Sequence, residues 1–186
     1  MARVQILRTQ RLVLTSWLPS DVDELLAVHS DPETMSFVRH GRPETRDETA
    51  SLIDRYISED AQAGYTKWRL TDLDDRLVGR AGFGRYGDGR ELGYTIRRAL
   101  WGNGLATEIA AALVTWHSVH AAGVPLYACV ARENPASRRV LRKIGFETIG
   151  LVEHSGLPCE LLRVGPAATT RQRWRYSSPA ARKRRS

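Results

Sequence analysis

The segment Trp101-Gly102-Asn103-Gly104-Leu105-Ala106-Thr107-Glu108 constrains this chain more than any other. It follows a strand-like run, Glu91 to Arg97, and opens an amphipathic helix running from Leu105 to about His120. Leu105, Ile109, Leu113 and Trp116 fall on one face of that helix. A strand that turns through two glycines into a helix leaves backbone N–H groups unpaired at the helix start. Those donors, with the positive end of the helix dipole, make a site for a phosphate. Taken alone, the glycines fit equally well a turn that only makes a tight strand-to-helix connection.

The remaining numbers bound the class. A chain of 186 residues suits one domain with a sizeable core, and 42% hydrophobic with 26% charged residues is ordinary for a soluble globular protein. No run approaches the roughly 18–20 apolar residues of a membrane span. The start, Met-Ala-Arg-Val-Gln-Ile-Leu-Arg, lacks the apolar core of a signal peptide, so the cytoplasm is the expected compartment. Cys129 and Cys159 form neither a metal-ligand pattern nor a disulfide framework and read as reduced thiols. The net charge of +7 is local, because seven Lys and Arg residues lie from Arg171 onward with no acid among them. The rest of the chain is balanced at 21 basic and 21 acidic residues. The division is therefore a globular domain over residues 1–166 and a basic, disordered tail over 167–186. Such a tail is either merely solvated or makes weak contact with RNA or the ribosome.

In chain order, Arg11 to Ser16 reads as a first strand, and Ser20 as the cap of a helix that ends at Asp31-Pro32. A second helix starts near Pro43 to Thr45 and stops at Gly64. Three strands follow, Thr66 to Thr71, Arg76 to Gly82 and Glu91 to Arg97, joined by short polar turns that imply antiparallel hairpins. Leu126 to Ala131 is near-continuously apolar and reads as a buried central strand. From Asn134 to Phe146 lies the clearest helix signature, with Asn134 as cap, Pro135 at the first position, and Gly145 at the end. Strands near Thr148 to Val152 and Glu160 to Val164 close the domain. The run Gly82-Phe83-Gly84-Arg85-Tyr86-Gly87 matches the dinucleotide pattern, but a strand rather than a helix follows it. A hairpin turn is the expected use.

Read together, these segments resemble the GCN5-related N-acetyltransferase (GNAT) superfamily, and within it the branch that acetylates N-terminal amines of ribosomal proteins. The resemblance rests on Thr9-Gln10-Arg11-Leu12-Val13-Leu14, Glu91-Leu92-Gly93-Tyr94, the segment Trp101 to Glu108, and Asn134-Pro135-Ala136-Ser137 through Lys143-Ile144-Gly145-Phe146. It covers about residues 9–164 and implies an α/β fold, a mixed, splayed central sheet of about seven strands flanked by about four helices. It also implies acetyl-CoA as cosubstrate, entering where Glu91 to Arg97 and Leu126 to Ala131 diverge. The residues it places on the cofactor are Thr95, Ile96, Arg97 and Arg98, then Trp101, Gly102, Asn103, Gly104, Leu105, Ala106 and Thr107, with Asn134 and Ser137 on the next helix. The family's leading basic or Gln residue is absent, since Ala99 stands there; Arg97 or Arg98 is the expected replacement.

Two residues are candidates for proton transfer. Glu91 matches the family's strand glutamate and would take a proton from the amine through a water, while its other reading is a surface glutamate beside Arg90. Ser137 would protonate the departing thiolate, a role many relatives give to a tyrosine where this chain has Leu141. Its other readings are a hydroxyl that bonds the helix start, or a thiolate that leaves unaided. His117 and His120 have no acidic partner and are not read as a metal site, and no metal is expected. His154, Cys159 and Glu160 read as a polar loop near the acceptor mouth rather than a Cys-His pair. The implied activity is acetyl transfer to a primary amine by direct attack, with a protein N-terminal α-amine first. Small-molecule amines and a non-catalytic CoA-binding module docked by the tail remain open.

Overall fold

The computed structural model describes residues 2–165, so the basic tail lies outside the described residues. The expected mixed α/β architecture is present as one eight-stranded sheet. Its strands are β1 (Gln5–Arg8), β2 (Val13–Thr15), β3 (Lys67–Thr71), β4 (Leu77–Tyr86), β5 (Gly89–Ile96), β6 (Leu126–Ala131), β7 (Phe146–His154) and β8 (Leu157–Val164). The order across the sheet is β1-β2-β3-β4-β5-β6-β8-β7. Every neighbouring pair is antiparallel except β5 and β6. The strand beyond the expected seven is β1, a four-residue edge in which only Leu7 is fully buried. One buried position carries no readable period.

Five α-helices are present: α1 (Val22–His29), α2 (Pro32–Met35), α3 (Arg46–Ala63), α4 (Leu105–His120) and α5 (Pro135–Lys143). Single 3-10 turns occupy Pro19–Asp21 and Arg98–Leu100. The helix added to the expected set is α2, one turn started by Pro32 and capped by Asp31, whose carboxylate accepts from the Thr34 N–H at 2.8 Å. Ser20 does not cap α1. Residues Pro19–Asp21 form a 3-10 turn, and Asp21 turns inward to accept from the Leu18 N–H and the Arg3 guanidinium. Thr45 and Glu48 form a reciprocal capping box on α3, and Gly64 ends that helix in the left-handed conformation.

The hairpin expectation for Gly82 to Gly87 is corrected. β4 continues to Tyr86, pairing Phe83 with Leu92, Gly84 with Glu91 and Tyr86 with Gly89, so only Gly87 and Asp88 form the turn. The inward alternation of Ala81 and Phe83 carries the strand period straight through the glycines. At the far end, Phe146 begins β7 instead of closing α5, and β7 and β8 both run longer than the short strands expected there.

Alternation also separates the two layers. Trp68 and Leu70 of β3 join the core under α4, whereas Arg69 between them meets Glu24 of α1 on the opposite face. On the α4 side Trp68, Phe83 and Trp116 form an aromatic cluster, with ring centroids 5.4–6.0 Å apart. Trp17, Leu25, Leu52, Ile53 and Tyr56 make a smaller core beneath α1 and α3.

One junction breaks the sheet. β5 and β6 pair only at Arg90–Leu126 and Glu91–Tyr127. Beyond Glu91 the strands diverge, and β5 keeps a partner on its β4 edge alone.

Phe83 is fully buried at the centre of the aromatic cluster. Phe83→Ala should therefore lower unfolding stability by about 3–5 kcal/mol in urea titration, the range for large-to-small core changes.

Candidate active site

The divergence opens a cavity of about 470 Å³ between β5, α4 and α5. Thr95, Ile96, Trp101, Gly102, Gly104, Leu105, Ala106, Thr107, Asn134 and Ser137 all line it, as does Tyr94. Ten of the thirteen residues expected on the cofactor therefore line one cavity. Asn103 does not line the cavity; its side chain braces the loop by donating to the carbonyls of Leu100 and Trp101. Arg97 and Arg98 do not line it either. They border a separate hollow with Ala27, Val28 and Asp31, and Arg98 pairs with Glu33 at 3.1 Å.

The glycine turn has the conformation its sequence requires. Gly102 and Gly104 have φ of 79° and 75°, and Gly104 is the residue preceding α4. No side chain caps this 16-residue helix. The N–H groups of Leu105, Ala106 and Thr107, which precede the first intrahelical bond (Glu108 N–H to Gly104 O, 3.1 Å), thus point toward the cavity with the helix dipole behind them. Unpaired donors, a positive dipole end and a largely apolar lining suit a phosphorylated, thioester-bearing chain.

The loop is held by the Thr9-Gln10-Arg11 segment. Buried Glu108 accepts from the Thr9 hydroxyl (2.7 Å), the Arg11 N–H (2.9 Å) and Arg11 Nε (2.7 Å). Arg11 Nη1 continues to the Asn103 carbonyl at 3.0 Å. Burial alone would raise the Glu108 carboxyl, but these donors hold it below its ordinary value. Arg11, Arg139 and Lys143 are the basic residues around the cavity that sequence reasoning missed. The helical spacing of Arg139 and Lys143 on α5, one turn apart, is the signal that could have found them.

On α5, Asn134 caps the helix through its side-chain oxygen, which accepts from the Ser137 N–H at 3.0 Å. The Ser137 hydroxyl sits beside that of Tyr94. Burial pushes the Tyr94 phenol up to about 12, with Ser137 opposing the rise. Tyr94 and Thr95, with Phe37 and Val38 across from them, also line a second hollow of about 350 Å³.

That second hollow ends at Glu91. The Glu91 side chain is nearly buried, with Lys67 Nζ at 3.9 Å and His154 Nε2 at 3.5 Å. It stands over a floor of glycines, since Gly84 and Gly93 lie alongside it on β4 and β5 and Lys67 crosses above Gly93. Cys129 completes a group in which carboxylate, thiol and imidazole atoms lie within 4.8 Å of one another. Burial pushes the Cys129 thiol up to about 12, assisted by the Glu91 charge. His154 therefore belongs to this mouth. Cys159 is buried nearby, its thiol raised by burial and by the Glu91 charge, whereas Glu160 is engaged by Arg138 at 2.9 Å and Thr148 at 3.1 Å. His117 is a buried structural residue bonded to the Val124 carbonyl at 2.9 Å, and burial lowers its pKa.

A family model described as "Acetyltransferase (GNAT) domain" matches residues 11–147. The chain belongs to the GNAT acetyltransferases and is an acyltransferase. It is 28% identical over 152 residues to the uncharacterized N-acetyltransferase YoaA of Bacillus subtilis, covering 79% of this chain and 85% of that protein. Among solved structures it resembles RimL, the ribosomal L7/L12 α-N-protein acetyltransferase, at a TM-score of 0.75 and 16% identity over 88% of this chain and 94% of that one. It also resembles AAC(6')-Ib, solved with ribostamycin and coenzyme A, at a TM-score of 0.69 and 18% identity over 93% and 98%. At these identities the likeness establishes the fold.

Glu108→Gln removes a buried charge from the Thr9–Arg11 network and should destabilise the protein by about 1–3 kcal/mol near neutral pH. Because the folded carboxyl is depressed, its stabilisation is present above the unfolded value of about 4.3 and is lost as pH falls through the folded value. In denaturant titrations across pH, the gap between wild type and variant should close in acid.

Proposed function

We propose that the protein transfers the acetyl group of acetyl-CoA to a primary amine by direct attack, the acceptor being a protein N-terminal α-amine. The observation that carries this reading is the meeting of two unlike cavities at Tyr94 and Thr95. One is apolar and ends in free helix donors; the other is polar and ends in a carboxylate. The RimL structure with coenzyme A and the MccE structure with acetyl-CoA show that this fold accommodates that ligand in other proteins. Small-molecule amines are the second reading, favoured by the fold likeness to AAC(6')-Ib with its bound ribostamycin.

In this mechanism Gly102, Gly104, Leu105, Ala106 and Thr107 receive the pyrophosphate, while Trp101, Asn134 and the open edge of β5 at Thr95 and Ile96 flank the pantetheine arm. The amine nitrogen attacks the thioester carbonyl carbon, and the open edge of β5 near Ile96 donates to the developing oxyanion, the Arg97 N–H being taken by the Val78 carbonyl at 2.8 Å. Glu91, through a water, takes the proton that the nitrogen sheds. The C–S bond breaks, and the Ser137 hydroxyl beside Tyr94 supplies a proton to the thiolate. No described helix is long and apolar enough to cross a membrane; we propose the cytoplasm as the compartment. From charge alone, we propose weak, salt-sensitive contact of residues 167–186 with RNA or the ribosome.

The test is thiol release from acetyl-CoA with a panel of peptides and small amines. Glu91→Gln should lower turnover by about 10²-fold or more. An α-amine titrates at about 7.7–8.0, so the loss should be largest below that range and shrink above it. An unchanged pH–rate profile would remove Glu91 as base. Ser137→Ala should cost several-fold in turnover, and a loss under about twofold would mean that the thiolate leaves unaided.

A further inference from the structure

The hollow in front of Glu91 carries an excess of positive charge that the transfer chemistry does not use. Arg39, Arg55, Lys67 and Arg80 all line it, and Glu91 is the one carboxylate among its lining residues. Three of the four cations have acidic neighbours: Arg39 at 2.6 Å from Glu44, Arg55 at 3.6 Å from Glu59 and Lys67 at 3.9 Å from Glu91. Arg80 has none within 4.0 Å among the described residues. It is 4% exposed, and its one hydrogen bond runs from Nε to Nε2 of His29 at 3.2 Å. Its guanidinium carbon lies 5.9 Å from the centre of the Tyr56 ring.

The His29 contact fixes how this cation is presented. Since His29 Nε2 accepts from Arg80, Nδ1 carries the proton and donates to Glu44 at 2.9 Å. Burial lowers the His29 pKa, so the ring is a neutral spacer that orients Arg80 without neutralising it. Glu44 reaches this guanidinium only across the His29 ring, and a cation so deeply buried with no carboxylate in contact is costly unless an anion arrives to complete it. Its planar fork suits a carboxylate or a phosphate.

The register places this cation at a definite remove from the base. Arg80 pairs with Thr95 and Gly84 with Glu91, four residues along the ladder, which is about 13 Å between backbone positions. Side chains shorten that span, so an amine held at Glu91 and an acidic group held at Arg80 belong to one small molecule or one short peptide end. We infer that this hollow selects a primary amine that also bears a carboxylate or phosphate group, with Arg80 as the anion-binding residue and Lys67 and Arg55 supporting it. Polycationic amines are repelled by the same charges. This rests on the acetyl-transfer reading of Glu91 and narrows its acceptor.

The test compares matched amines that differ only in the second group: free amino acids with their carboxamides, phosphoethanolamine with ethanolamine, and peptide amides carrying Asp, Asn or Lys after a common first residue. The first two pairs represent a free metabolite and the third a protein N-terminus, so the preferred set identifies the source. The acidic member should exceed its neutral partner about tenfold or more in kcat/KM, mainly through KM. Lysine-bearing peptides should be poorer still. Arg80→Gln should collapse the acidic-to-neutral ratio to within about twofold, whereas Arg80→Lys should keep most of it. Arg55→Glu, on the exposed side of α3, should reduce the ratio without touching the core. Equal rates for acidic and neutral partners, a preference for cationic amines, or a ratio unmoved by both Arg80→Gln and Arg55→Glu would overturn the inference. Should no amine release thiol, the acetyl-transfer reading fails instead. The selection is then read by calorimetric binding of N-acetylamino acids against their amides in the presence of CoA, where equal affinities overturn it and tighter acid binding supports it.

Discussion

Everything functional in this protein depends on the early failure of β5 and β6 to stay paired. Two residue pairs, Arg90–Leu126 and Glu91–Tyr127, tie the strands together, and then the sheet opens. A parallel pair continued for another turn of the pleat would close the cavity and satisfy the backbone groups at Tyr94 to Ile96 internally. Instead, β5 is an edge on one side while buried on its faces, a condition that a soluble protein ordinarily covers. Here α4 and α5 stand on either side of the gap, and the edge is left for an extended ligand. The same divergence sets the helix start at Leu105 beyond one end of the opening and Glu91 at the other. A single ligand lying along β5 therefore passes from phosphate donors to carboxylate.

The two halves of the gap differ in electrical character for reasons traceable to the strand period. The α4 face of β3 to β5 carries Trp68, Phe83 and Leu92 and yields an apolar wall. The alternate positions, Lys67, Arg80, Gly84, Glu91 and Gly93, turn toward α1 and α3 and yield a charged hollow floored by backbone. Gly93 leaves the room that Lys67 uses to span the floor toward Glu91, since a side chain at 93 would displace the end of Lys67. Tyr94 and Thr95 stand at the crossing, adjacent in sequence and therefore on opposite faces, which is why they touch both compartments.

Much of this was legible before any coordinates. The glycine turn, the strong caps at Thr45 and Asn134, and the hairpin series each carry a local signal that tertiary packing did not override. Glu91 and Ser137 were legible through motif order rather than through their own surroundings. What escaped had physical reasons. β1 has one buried residue and no period, and α2 is a single turn. Nothing local in the sequence marks Arg80, because its setting depends on His29, 51 residues away. Of the expected trio, His154 lines the mouth and Cys159 lies close enough to feel the Glu91 charge, whereas Glu160 does not line it. Adjacent sequence was a poor guide where β8 turns Glu160 toward α5, and Cys129 arrives from β6 instead.

The irregularity at Ala99 also resolves differently from the sequence expectation. Arg97 and Arg98 border the neighbouring hollow instead of this cavity, and Arg98 is paired with Glu33. The substitution is structural and comes from two directions. Arg11 reaches the turn from the N-terminal segment, but its charge is matched by Glu108, so it contributes geometry: it fixes the Asn103 carbonyl and the first turn of α4. Net positive charge comes instead from Arg139 and Lys143 on α5, neither of which forms an ion pair among the described residues. Screening at physiological salt leaves charges effective over about 8 Å, so residues lining the same cavity act on a phosphate whether or not they belong to the loop. The proposed acetyl-CoA site thus divides the labour: amides at Leu105 to Thr107 give directional hydrogen bonds, Arg11 holds the turn in place, and α5 supplies the attraction, so that Ala99 removes one donor among several.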